Sequence, residues 1–326
     1  MNKKTIGHIG ELLILSLGFI LIFTSFGYPA IIADHFAAAE FDNIPTSYIE
    51  IVDDSFHVYY VHTSHGSQIM TGISMVYDEN SLYYPPYFFE VSDDLGHNGD
   101  TTWVTATRLY LTQHPECNMA MFSWCGGASD NTEEGINIYL NKVNELESDF
   151  PDVIFIYMTG HLDGGGPEEN LYIRNNQIRA YCQSNNKILF DFADIESYNP
   201  DGDYFPYETD ACNWCYDWCS IYTCPTCGSC AHSHCFNCYL KGKGWWWMMA
   251  KILGWNESTY DCADINGDSS LNLFDATYLI EYLYRDGPAP VSPADGNVNG
   301  DTVVNIFDIV YIISYLYISG PPPVCE

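Results

Sequence analysis

The chain has 326 residues, 47% hydrophobic, 16% aromatic and 17% charged, a balance that supports a large buried core and excludes a disordered or low-complexity polymer. Eleven basic residues stand against 43 acidic ones, and a net charge of −32 repels phosphate backbones, so no nucleic acid is expected as a partner. Thirteen cysteines, eight of them between Cys212 and Cys238, call for disulfides or a metal.

Met1 to Lys4 is short and basic, and Leu12 to Gly27 is apolar without a charge, which reads as a secretory signal peptide within a leader over residues 1–39. The alternative is an uncleaved anchor, because the apolar character continues through Ile32. Gly27, Ala30 and the run Ala37 to Ala39 offer several cleavage points. By this reading everything after the leader is secreted or held at the cell surface.

Residues 40–256 alternate strand-like and helix-like segments, which predicts an α/β domain with a largely parallel sheet. His57 to His62 is a strand running into Thr63-Ser64-His65-Gly66, Met119 to Cys125 runs into Gly126-Gly127, and Val153 to Thr159 runs into Gly160-His161-Leu162-Asp163. Helices are expected over Thr132 to Leu146 and Glu168 to Cys182, with a fourth strand at Ile188 to Phe192. Polar residues just beyond such strands are expected at a site, because open α/β sheets bind ligands at their carboxyl edge.

This order of strand-Ser, strand-Gly, strand-Gly-x-x-Asp and a late His before a final helix resembles the SGNH or GDSL-type hydrolases from about Ser55 to Trp255. The resemblance implies a flavodoxin-like three-layer sandwich. It makes Ser64 the nucleophile, and the backbone N–H groups of Ser64 and Gly126 part of an oxyanion hole. It takes His232 or His234 as the base, with His232 preferred. The third block, Gly-x-Asn-Asp in the family, reads Gly160-His161-Leu162-Asp163 here, so His161 would replace the Asn. The acid three residues before the base is missing, since Ser229 and Ala231 stand there, which leaves Asp194, Asp210 or Asp217 to orient the imidazole, or a dyad.

Residues 212–238 form a Cys-rich loop with no hydrophobic period. Export favours disulfides, while Cys212 and Cys215 with Cys235 and Cys238 would make a tetrahedral Zn2+ site. Eight cysteines allow 105 connectivities, and none is singled out.

Asp264 to Pro290 and Asn297 to Pro323 repeat without gaps at an offset of 33, each an oxygen-rich loop, an apolar helix and a Gly-Pro stop. Asp264, Asn266, Asp268, Asn272 and Asp275 fall at the side-chain ligand positions of a calcium loop, with Ser270 giving a backbone carbonyl. Asn297, Asn299, Asp301, Asn305 and Asp308 repeat the pattern, with Val303 as carbonyl donor. Residues 262–326 thus resemble a type I dockerin, which implies a small all-α paired calcium-loop domain, two Ca2+ ions and docking onto a cohesin-like scaffold. Ser269 and Thr302 stand where such loops usually carry Gly, and the apolar Leu273, Phe274, Ile306 and Phe307 occupy the partner-selecting positions, so docking within the chain is an alternative.

Together these readings give a secreted ester hydrolase acting on an ester-bearing polysaccharide or another small ester. Two alternatives stay open. One is a metal-dependent enzyme in which His62, His65, His161 and a late His gather around zinc, and the other is a non-catalytic glycan-binding or surface-assembly protein using the 26 Tyr and 8 Trp.

Overall fold

A computed structural model of the chain describes residues 30–255, 263–267, 271–285, 287–290, 296–318, 320–321 and 323–324. Six strands form one parallel sheet: β1 (Ile31–Ala33), β2 (His57–His62), β3 (Tyr87–Ser92), β4 (Met119–Phe122), β5 (Ile154–Met158) and β6 (Ile188–Phe190), in the order β1-β6-β5-β4-β2-β3. The helices are α1 (His35–Ala39), α2 (Thr46–Ile49), α3 (Val52–Ser55), α4 (Ser67–Glu79), α5 (Thr102–Gln113), α6 (Gly127–Asp130), α7 (Glu133–Asp149), α8 (Asn170–Ser184), α9 (Phe192–Ser197), α10 (Asn213–Ile221) and α11 (Cys235–Ile252). Two more, α12 (Leu273–Tyr284) and α13 (Ile306–Ile318), belong to the C-terminal repeat.

The sheet is covered on both faces, which is why its central strands read as continuous apolar runs. Successive residues still part company: Tyr60, Met119, Met121, Ile156, Met158 and Phe190 pack into one core with α1, α4 and α11. Tyr59, Ala120, Phe122, Phe155, Tyr157 and Leu189 enter the other, beneath α5, α7 and α8. Thr132 opens α7 by accepting from Gly135 N, and Glu133 and Glu134 meet the positive end of the helix dipole.

Helices α4 and α11 cross with backbones in contact. A Cβ on Gly72 would lie 1.9 Å from the Cys238 carbonyl oxygen and 2.6 Å from Gly242 N. Gly72→Ala is therefore expected to cost about 3 kcal/mol, the upper end for one methyl forced into a packed core. Denaturant unfolding measures the loss.

The expected α/β class with a parallel sheet is present. Two strands are additional to the expectation, β1 and β3, and both are edges. β1 pairs with β6, Ile31 opposite Ile188 through Ala33 opposite Phe190, and Ala33, Ala37 and Ala38 are buried. These residues lie inside the span assigned to the leader, so the folded domain begins before residue 40, and cleavage at Ala37 to Ala39 would remove an edge strand and its helix. No helix of the described residues is long and apolar enough to cross a membrane.

Beyond β1, Asp34 caps α1 by accepting from Phe36 N and Ala37 N, and His35 Nδ1 meets Asp194 Oδ1 at 2.5 Å. Burial, then the Asp194 carboxylate, pushes the Asp34 pKa up to about 6. A carboxyl whose folded pKa is raised contributes stability at low pH that is lost as pH rises through the folded value. Asp34→Asn keeps the capping oxygen, so it is expected to raise the melting temperature at about pH 7.5 and to change it little near pH 4, where Asp34 is already protonated. Calorimetry at the two pH values checks this.

Candidate functional site

The sheet order reverses between β2 and β4, and the chain leaving the carboxyl ends of these two strands brings Ser64, His65, Cys125 and Gly126 together. After β2 the turn folds back tightly. A Cβ on Gly66 would lie 2.4 Å from both His62 Cβ and Ser123 Oγ, the Tyr60 hydroxyl donates to the Gly66 carbonyl at 3.0 Å, and Ser67 Oγ donates to the Ser64 carbonyl at 2.6 Å. After β4, Ser123 N donates to the Val61 carbonyl and Trp124 Nε1 to the Met158 carbonyl, both short of a left-handed Gly126 at φ +93°. Open space stands where a Gly126 Cβ would be.

His65 is the hub. It is buried, its Nδ1 lies 3.3 Å from Cys125 Sγ, and its Nε2 lies 3.0 Å from Asp210 Oδ2. The His161 ring stacks on it at 3.6 Å and 3°, and the His232 ring at 4.8 Å. Burial, then the neighbouring His161, lowers the His65 pKa, a shift toward the neutral imidazole that Asp210 opposes.

Three loops deliver the other members. Asp210 is held because Asp210 N donates to the Leu162 carbonyl and Gly164 N to the Glu208 carbonyl, so this strand-like pairing ties its loop to that of His161. His161 Nδ1 sits 2.9 Å from the Leu162 carbonyl, which can only accept, so Nδ1–H is the donor there. His232 occupies a left-handed conformation at φ +61° inside the loops closed by Cys227–Cys235 and Cys230–Cys238.

A buried ion pair ties these loops to the helices. Lys241 Nζ lies 2.7 Å from Glu196 Oε1, both fully buried. Glu196 Oε2 accepts from Leu162 N at 2.7 Å, Gln68 accepts from Lys241, and Gln68 Nε2 donates to the Ala231 carbonyl at 2.6 Å. The backbones beside His161 and His232 therefore hang from one charged pair. Burial holds the Lys241 pKa down, and Glu196 opposes that shift.

The expected site residues fall into two groups. Ser64, Gly126, His161 and His232 are at or beside the hub. His234 is the N-cap of α11, accepting from Phe236 N through Nδ1 at 3.1 Å with its ring against Tyr216. Asp163 Oδ1 accepts from Gly165 N and shapes its own turn. Ser64 Oγ is 3.6 Å from Cys125 Sγ and lines an open cleft with His62, Thr63 and Glu90. Of the three acids offered as orienting groups, Asp210 meets a histidine of the cluster, and that histidine is His65. His62 turns away, its Nε2 on Glu90 at 2.9 Å. Cys125 and the role of His65 as hub were missed from sequence, although Cys125-Gly126 ends a central strand as Ser64 does.

The Cys-rich loop carries four disulfides: Cys212–Cys215, Cys219–Cys224, Cys227–Cys235 and Cys230–Cys238. All eight sulfurs of this loop are paired, the arrangement that export favours. Cys117, Cys125 and Cys182 are free thiols. Cys262 and Cys325 lie outside the described residues.

In the C-terminal repeat, Asp275 accepts from Ile265 N, Asn266 N and Asn272 N, and Asp308 accepts from Val298 N, Asn299 N and Asn305 N. The two loops thus share one bonding pattern at the same offset. Thr302 takes φ +71° where calcium loops favour Gly, and Gly267 and Gly300 take +73° and +72°. Asp264, Asp275 and Asp308 are buried, and the buried Asn297 Oδ1 has no hydrogen-bond partner, an oxygen left over for a cation. These residues fit calcium. Asp268 and Ser270 lie outside the described residues. Ile265, Ala276 and Leu279 pack against Val298, Ile309 and Ile312 between the helices.

No family model matches the chain, and no curated protein matches it.

Proposed function

We propose that the chain is a secreted ester hydrolase of the SGNH type, with His65 as general base and Asp210 as the residue that orients it. The observation that carries this reading is the His65 ring, one nitrogen on a carboxylate and the other facing a nucleophilic side chain. The strand order supports the flavodoxin-like sandwich: β3-β2-β4-β5-β6 is the doubly wound 2-1-3-4-5 order with β1 added at the edge. The site lies at the switch point of that order, where such folds place their ligands.

In the reaction His65 Nδ1 takes the proton of the attacking group and later gives it to the leaving alcohol. Asp210 accepts from Nε2–H and stabilises the imidazolium between the two transfers. The N–H groups of Ser64 and Gly126 are the donors assigned to the oxyanion, with His161 beside them. The dockerin-like repeat would hold two Ca2+ ions and tether the enzyme to a cohesin-like scaffold. That association suggests an ester-bearing polysaccharide as substrate. Calcium would supply the charge that its acidic loops gather around, and Asp264, Asn297, Asp275 and Asp308 are the residues to hold it.

The test is hydrolysis of aryl acetates and of an acetylated polysaccharide by the full chain. Turnover supports the reading, and glycan retention without turnover replaces it with a binding protein. Calcium is expected to raise the melting temperature of the repeat, and Asp308→Ala to remove that shift.

A second reading has one observation in its favour. Ligand atoms of His65, His161 and Asp210 lie within 4.8 Å of one another, close enough for a divalent cation after small side-chain rotations. Activity lost to a chelator would select it.

A further inference from the structure

We propose that the attacking atom of this site is the sulfur of Cys125, an inference that rests on the hydrolase reading and deepens it.

The proton arrangement follows from acceptor chemistry. An ionised carboxylate only accepts, so Asp210 requires a proton on His65 Nε2. A neutral imidazole then carries its lone pair on Nδ1, and the group facing Nδ1 at 3.3 Å is Cys125 Sγ, whose S–H is the donor. Nucleophile, base and orienting acid are thus in line. Ser64 Oγ touches the same sulfur at 3.6 Å, and no hydrogen bond joins it to a histidine among the described residues. Its hydroxyl is placed to donate to a thiolate on Cys125.

The chain around Cys125 is built to present it. Trp124 is buried and bonded, and Gly126 turns the chain left-handed with open space on its Cβ side. Cys125 is half-buried, whereas the other two described free thiols, Cys117 and Cys182, are buried and held protonated by that burial.

The chemistry balances without a further reactant. The sulfur attacks the ester carbonyl as its proton passes to His65 Nδ1, forming a C–S bond and a tetrahedral oxyanion. The C–O bond to the alcohol breaks, the alcohol leaves with the His65 proton, and a thioester remains. Water, deprotonated by His65, attacks the thioester, the C–S bond breaks, the sulfur recovers a proton, and a carboxylic acid is released.

The experiment uses the full chain with its disulfides intact, iodoacetamide as the thiol probe and p-nitrophenyl acetate as substrate. Alkylation of Cys125, followed by peptide mass spectrometry, is expected to be at least about tenfold faster than that of the same thiol in His65→Ala, with ester hydrolysis falling in step. Acid quenching during turnover of the unmodified protein, which needs no variant to fold, is expected to place the acetyl group on Cys125. Acetyl on Ser64, or hydrolysis that survives complete alkylation of Cys125, overturns the proposal and leaves the hydrolase reading standing. Equal alkylation rates with and without His65 overturn the thiol–imidazole pair. A chain that hydrolyses no ester yet keeps the His65-dependent alkylation overturns the ester reading and retains the activated thiol.

Discussion

His65→Ala is expected to lower kcat/KM for ester hydrolysis by about 10³-fold or more, the range for removal of a general base that acts with its nucleophile as a unit. Asp210→Asn leaves the shape in place but offers an amide that can donate to Nε2, which favours the wrong tautomer of His65, and a loss of about 10²- to 10⁴-fold is expected. The pH profile carries a sign that follows from burial. His65 is flanked by Cys125, His161, His232 and Asp210, and its pKa lies below the ordinary histidine value. The neutral base is lost only when pH falls through that lowered value, so the acid limb of kcat/KM is expected below about pH 6.5. Initial rates over a pH series, with each variant checked for folding by circular dichroism, decide both points.

Lys241→Met is expected to destabilise the large domain by about 3–5 kcal/mol, because it leaves the fully buried Glu196 carboxylate without its charge partner. The loss should spread to the site. Glu196 holds Leu162 N next to His161, and Gln68, which accepts from Lys241, holds the Ala231 carbonyl next to His232. Combining Lys241→Met with Glu196→Gln removes both charges, and the double variant is expected to lose less than Lys241→Met alone. Urea unfolding of the three proteins measures the difference.

Much of this fold was legible because its central strands are apolar on both faces. β2 was read with its observed bounds, and β4, β5 and β6 within three residues of theirs. The edge strands were missed for a physical reason. β1 is three residues long and continues an apolar leader, while β3 exposes Tyr87, Phe89 and Glu90 and shows no core-facing period. The C-terminal duplication was legible because its Asp and Asn residues recur at fixed spacings, and two copies in register double the signal.

The site was legible in part. Strand ends pointed to Ser64, Gly126 and His161, because a parallel sheet gathers its chemistry at one edge. Asp210 is 145 residues from His65, and no local rule links them. Cys125 was hidden among thirteen cysteines, most of them structural, although the turn Cys125-Gly126-Gly127 carries the same strand-to-turn signal as the Ser64 turn. His234, a base candidate by its position just before a helix, is the N-cap of α11, a placement that the same sequence position also predicts.

On the proposed reading His65 is a proton-transferring base and not a metal ligand. The most direct measurement is the rate of aryl acetate hydrolysis by the full chain before and after treatment with 1,10-phenanthroline, which removes transition metals and spares calcium. An unchanged rate is the predicted result. A rate that collapses and returns on adding zinc would rule out that role and assign His65, His161 and Asp210 to a metal centre.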